Sequence, residues 1–216
     1  MFKYLKIILF FVISWVQIPL FAQLNNDNAK EDLTALAQKY KTFNSLKINY
    51  AFCVEDEGKT SPIERGELVF KENSYKLTID NQEIYCDGTN IWSYLKKENE
   101  VSIYLYEESD EDLINPAKIL SGWDKNYNAK FIKEEFLDGR KLRVIDLTPI
   151  HRKSYYKIRF FVDMAKKEVV KIYVYEKDNS TLQYTIEKFT TNMTLPGNFF
   201  TFNPAVHKGI QINDMR

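Results

Sequence analysis

From Leu46 the chain alternates apolar and polar residues. Leu46, Ile48, Tyr50, Phe52 and Val54 stand against Lys47, Asn49, Ala51, Cys53 and Glu55. Successive side chains of a strand leave opposite faces of a sheet, so this period of two predicts a strand with one apolar face. Upstream the period differs. Leu33, Leu36, Ala37, Tyr40 and Phe43 recur at steps of three and four, which predicts an amphipathic helix over residues 31–43. Asp27 or Asn28 suits its N-cap, and Glu31 and Asp32 suit the positive end of its dipole.

Further strands follow, with turn residues between them. Residues 66–71 carry Leu68 and Phe70 on one face, and 75–79 carry Tyr75, Leu77 and Ile79. Between residues 84–86 and 91–95 stands Asp87-Gly88, a strong short-range hairpin signal. The strand after it sends Trp92 and Tyr94 out of one sheet face. Residues 101–106 make a sixth strand. Asn115-Pro116 reads as a cap with proline at the first helical position, opening a short helix over 117–122 closed by Gly122. Then come strands over 129–136 and 141–147 around Asp138-Gly139, and over 155–162, 168–175 and 181–189, with Ile210 and Ile212 in a terminal strand. The polar stretch 57–62 reads as a turn. About eleven antiparallel strands are too many for a small sheet wet on both faces. The predicted fold is therefore α+β and mainly β. One curved sheet forms an incomplete, half-open barrel, its concave face covered by the N-terminal helix and the short central helix.

Residues 1–22 read as a cleaved secretory signal peptide: Lys3 and Lys6, an apolar stretch over 7–16, and Ala22 before a cleavage point. The apolar stretch is short for a membrane span. No cysteine lies near residue 23, so the pattern of a lipid-anchored leader is absent. Residues 23–216 then form a single domain with a real core. Without Lys3 and Lys6 the chain has 28 basic and 30 acidic side chains, which gives no case for nucleic acid. Cys53 and Cys86 allow one disulfide pairing, and two separate, partly buried thiols are the simpler reading.

Catalytic patterns are missing. There is no His-Glu-x-x-His, no Gly-x-Ser-x-Gly and no glycine-rich phosphate loop. His151 and His207 lack ligand spacing and read as surface residues, so neither metal nor cofactor is expected. The carboxylates Glu107-Glu108 and Glu134-Glu135 carry no sign of burial, and the acidic run 107–112 reads as a solvated loop. What remains is the apolar face of the sheet, which serves either as ordinary core or as the wall of a ligand cavity.

The order of these elements resembles the LolA family, the periplasmic carriers of outer-membrane lipoproteins. Gln82, Asp87-Gly88, Trp92 and Tyr94 sit where that family places its Gln, Asp-Gly, Trp and Tyr. Gly66-Glu67-Leu68 resembles its glycine-led second strand, and Asn115-Pro116-Ala117 with Ile119-Leu120 resembles its proline-initiated helix. Leu147-Thr148-Pro149 and the ending Phe200-Thr201-Phe202-Asn203-Pro204, Gly209-Ile210 match as well. The resemblance spans residues 30–216. It departs at the turn after the second strand. The family has Arg-Pro there, the Arg tying a helical lid shut, whereas this chain reads Lys71-Glu72-Asn73. Lys71 and Lys76 are the candidate substitutes. The departures suggest a distant branch.

The resemblance implies a monomeric, non-enzymatic carrier in the periplasm that shields acyl chains in a hydrophobic cavity. Its implied partners are acylated lipoproteins, an inner-membrane ABC-type exporter and, as an open alternative, an outer-membrane receptor. The implied cavity residues are Leu33, Leu36, Tyr40 and Phe43 on the lid, Leu68, Phe70, Leu77, Trp92 and Tyr94 on the sheet, and Ile119 and Leu120 on the short helix. Tyr75 is placed at the rim for partner contact. A lipid- or lipoprotein-sensing regulator of the same fold is the alternative, and a hydrolase of envelope lipids a further one. Which strand parity faces the cavity is left open, because a shift of one residue moves the whole set to the other face.

Overall fold

The strand read from the alternation at Leu46, β1 (Leu46–Asp56), lies in the middle of the sheet and joins its two halves. The computed structural model describes residues 20–106 and 116–216. On one side of β1 lies a meander of β3 (Glu64–Lys71), β4 (Ser74–Ile79), β5 (Gln82–Cys86), β6 (Asn90–Leu95) and β7 (Glu100–Leu105). On the other side β12 (Thr181–Thr191) pairs with β1. The sheet continues through β11 (Glu168–Glu176), β10 (Tyr155–Asp163) and β9 (Arg140–Pro149) to the edge strand β8 (Tyr127–Leu137). A two-residue strand, β2 (Lys59–Thr60), folds back on the end of β1 within the stretch expected to be a plain turn. The sheet is curved and does not close on itself, the half-open barrel expected from the sequence.

Turn chemistry explains the hairpins. Asp138 and Gly139 both have positive φ, 49° and 73°, which matches a two-residue hairpin twist between β8 and β9. In the Asp87-Gly88 loop Gly88 has φ 89°, and the Asp87 carboxylate accepts from the backbone N–H of Thr89 and Asn90, each at 2.8 Å.

Among the described residues three α-helices accompany the sheet: α1 (Leu20–Tyr40), α2 (Pro116–Ser121) and α3 (Trp123–Asn126). α1 starts well before the expected position, so Asp27 and Asn28 lie inside it rather than capping it. The helix-compatible run Leu20, Phe21, Ala22, Gln23, Leu24 outweighs the local cap signal. It also ends before Phe43, which sits in the following turn. The charged start and apolar stretch of residues 1–19, the acidic run 107–112 and Asn115 lie outside the described residues; the expected cleavage point after Ala22 falls within α1. Among the described residues no helix is long and apolar enough to cross a membrane.

A second correction concerns the terminal strand. β13 (Gln211–Asp214) pairs with β7 in parallel, not antiparallel. After β12 the chain passes over the outer face of the first meander. There Phe202 is buried and the Asn203 side chain caps a 3-10 turn over Pro204–Val206, so the chain reaches β7 travelling in the same direction. Cys53 and Cys86 are not joined in a disulfide. Cys53 lies opposite Gln183 on the outer face of β1, while Cys86 lies opposite Tyr75 on the inner face of β5.

The main core lies between the sheet and its helices. Leu33, Leu36 and Tyr40 of α1 and Ile119 and Leu120 of α2 pack onto Leu46, Ile48, Ile145, Leu147, Ile158, Phe160 and Ile172. Two smaller clusters occupy the outer face, one around Leu142, Val144 and Phe161, the other around Tyr94, Val101 and Phe202.

Candidate functional site

Beside this core is an apolar hollow of about 110 Å³. Its walls are Ile48, Tyr50 and Phe52 of β1, Leu68 of β3, Leu77 and Ile79 of β4, Ile172 of β11, Tyr184 and Ile186 of β12, and Pro116 of α2. Every wall strand contributes alternate residues, because the inner face repeats every second position. Both meanders are needed, since β1 alone joins β4 to β11. Exposure rises along the inner face of β1, from 0% at Leu46 through 3% at Ile48 to 8% at Tyr50, and Phe52 is half-buried. The hollow therefore opens at the Phe52 end.

That end is aromatic. Tyr50 meets Tyr184 edge-on at 5.7 Å between ring centroids, and Phe52 stacks on Tyr184 at 5.8 Å. The Tyr50 ring lies flat over Gly66, where a β-carbon would come within 2.5 Å of its Cζ and hydroxyl. The glycine that leads this strand thus makes room for a ring, not for a special backbone angle. Gly66→Ala is expected to push Tyr50 into the hollow and to cost about 1–3 kcal/mol by overpacking, read as a lower midpoint in urea with the slope unchanged. Burial raises the pKa of the Tyr50 hydroxyl, helped by Tyr184 and Glu64; burial and Glu176 push Tyr184 up to about 12. Both hydroxyls are neutral donors at ordinary pH.

Among the described residues, α1 is fastened to the sheet near its middle and near its end. Asp32 of α1, 5% exposed, meets Arg143 of β9 with Nε 2.8 Å from Oδ2, and the guanidinium also lies over the Phe131 ring. Neither of these two atoms makes a hydrogen bond among the described residues, so the pair is held charge to charge. Burial raises the Asp32 pKa. Arg143 opposes that shift, and Glu31 and Glu134 add to it. Near the end of α1, Lys39 bonds Glu168 at 3.0 Å and the Lys166 carbonyl at 2.7 Å, while the Tyr40 hydroxyl accepts from Val169 N at 3.5 Å. The expected substitutes for the family's Arg do not reach the cover. Lys76 lies on the outer face with Glu83 and the Tyr85 ring, and Lys71 is exposed.

The residues predicted for the cavity divide into three groups. Leu68 and Leu77 line the hollow. Leu33, Leu36, Tyr40, Ile119 and Leu120 are buried in the main core beside it. Phe43, Phe70 and Tyr75 are half-buried against the same core. Trp92 and Tyr94 are a correction: they lie on the outer face, under Phe202, His207 and Ile210. Register explains it. Leu77 pairs with Ile84 and Ile84 with Ser93, so Ser93 faces inward and its neighbours face outward. His207 stacks on Phe202 at 4.8 Å as part of that outer packing. The alternation along β1 puts Ile48, Tyr50 and Phe52 on one apolar face but does not by itself assign them to the cavity. Tyr184, Ile186 and Ile172 carry the same period-two signal in the later strands.

An unclosed, mostly antiparallel sheet with an apolar hollow under a helical cover defines a class of half-barrel proteins. The profile described as outer membrane lipoprotein carrier protein LolA matches residues 41–203, and the chain belongs to that family. A relative in Methanocaldococcus jannaschii, the uncharacterized protein MJ0687, is 25% identical over 205 residues, covering 94% of this chain; the chain spans 58% of that protein's length. Among solved structures, an uncharacterized conserved protein from Thermus thermophilus has a TM-score of 0.57 at 7% identity, covering 86% of this chain and 98% of the other. The LolA superfamily protein NE2245 from Nitrosomonas europaea has a TM-score of 0.43 at 15% identity, covering 81% and 97%.

Proposed function

We propose that this chain is an exported periplasmic carrier that takes the acyl chains of lipoproteins into the hollow and shuttles them from the inner to the outer membrane. The observation that carries this reading is the apolar hollow, open at one end and roofed by helix α2, in a chain of this family. Each buried methylene is worth about 0.8 kcal/mol, so an acyl chain supplies ample driving force. Size adds a condition. A cavity of about 150 Å³ accommodates one benzene, and the hollow is about 110 Å³. A whole acyl chain therefore enters only when the cover shifts, and loading is coupled to movement of the helices. An inner-membrane ABC-type exporter would deliver the cargo and an outer-membrane receptor would take it. The carrier works as a monomer, without catalysis.

The test is uptake of a fluorescent diacylated peptide by the purified protein and by Phe52→Glu, which puts a charge at the mouth of the hollow. Uptake by the wild type, reduced at least tenfold in a variant with an unchanged thermal midpoint, is expected. No uptake by the wild type, or full uptake by the folded variant, overturns the reading.

A further inference from the structure

Among the described residues that line the hollow, Tyr50 and Tyr184 alone carry a polar side-chain group, a hydroxyl each. Several other tyrosines packed in the clusters have partners. The Tyr127 and Tyr155 hydroxyls bond each other at 2.7 Å, Tyr40 accepts from Val169 N, Tyr85 donates to Glu83 at 2.5 Å, and Tyr94 donates to Asn99 at 3.4 Å. Tyr50 is as buried as these, at 8% exposed, and Tyr184 is half-buried. Neither hydroxyl has a hydrogen-bond partner among the described residues. The two rings touch, and they stand one step inside the mouth, between the apolar floor at Ile48 and the open end at Phe52.

A guest that is hydrocarbon throughout would cover both hydroxyls and leave them unbonded. Burying a polar group without a partner is costly, and a guest with an acceptor at that depth removes the cost. An amphiphile whose chains lie on the floor and whose head remains in water carries its linkage at that depth. In an ester or amide the linkage is a carbonyl, which only accepts, and the two tyrosines only need to donate. We infer that Tyr50 and Tyr184 form a carbonyl-reading pair at the mouth of the hollow, selecting ester- or amide-linked acyl chains over alkyl chains of equal length. This inference rests on the carrier reading and names the linkage that the site recognises.

The experiment compares two probes, a peptide bearing an ester-linked diacylglyceryl cysteine and the same peptide with ether-linked alkyl chains. Binding is measured by fluorescence titration for the wild type and for Tyr50→Phe/Tyr184→Phe, which keeps both rings. The wild type is expected to bind the ester about threefold to tenfold tighter, the range of one or two net hydrogen bonds. The double variant should bind both probes equally. Equal binding of ester and ether by the wild type overturns the inference and leaves the carrier reading standing. An ester preference that survives in the double variant likewise removes these tyrosines from the role. Binding of neither probe by the wild type removes the carrier reading and the inference together.

Discussion

Phe160→Ala is expected to lower the unfolding free energy by about 3–5 kcal/mol, the usual cost of truncating a large buried aromatic. Phe160 is fully buried on β10 and sits between Ile145 of β9 and Ile172 of β11. A domain of this size has about 5–15 kcal/mol in total, so one substitution removes a large share. The measurement is urea unfolding, with a lower midpoint at unchanged slope. Ile172 also walls the hollow, so the void would open behind that wall. A loss under about 1 kcal/mol would mean that the second meander is loosely packed around this ring.

Arg143→Met is expected to be the other large change, about 2–3 kcal/mol. Removing one partner of a buried ion pair leaves the other charge uncompensated, which costs about 3–5 kcal/mol in a dry site. The expected loss is smaller here because 24% of the Arg143 side chain remains exposed. The pH dependence identifies the cause. Asp32 has a pKa raised above 3.8 in the folded protein, chiefly by burial. A raised acid costs stability while it is ionised. That cost is relieved as pH falls through the folded value, and it is gone below the unfolded one. Taking Arg143 away removes the influence that lowers the pKa, while Glu31 and Glu134 still raise it. The folded value rises further and the window of relief widens upward. The variant's deficit in thermal midpoint should therefore be larger at about pH 7 than at about pH 4. A deficit equal at both values would show that Arg143 contributes through its contact with Phe131 rather than through its charge.

The alternation of Leu46 to Val54 and the Asp-Gly turns made the sheet readable, because strand period and turn geometry are local properties of the chain. The face was not local. Trp92 and Tyr94 share a face by their spacing. Whether that face meets the helices depends on a pairing chain from β4 to β6, and on a covering segment more than a hundred residues later. Large aromatics suggest an interior, and here the C-terminal Phe202 supplies one on the outer side. The same limit hid the fastening of the cover. Asp32 has the position of a residue serving a helix end, and only the folded sheet brings Arg143 against it. Gly66 reads as the start of a strand until the Tyr50 ring is seen above it.

The position of β1 has a consequence for biogenesis. The first of the long strands to be synthesised finds one neighbour soon, in β3, and the other only when β12 has been made. Pairings so far apart in sequence form slowly and late. The floor of the hollow comes from both neighbours, so a chain still emerging from the ribosome has half a floor. Vectorial synthesis thus leaves the hollow without its second wall until β12 closes the gap.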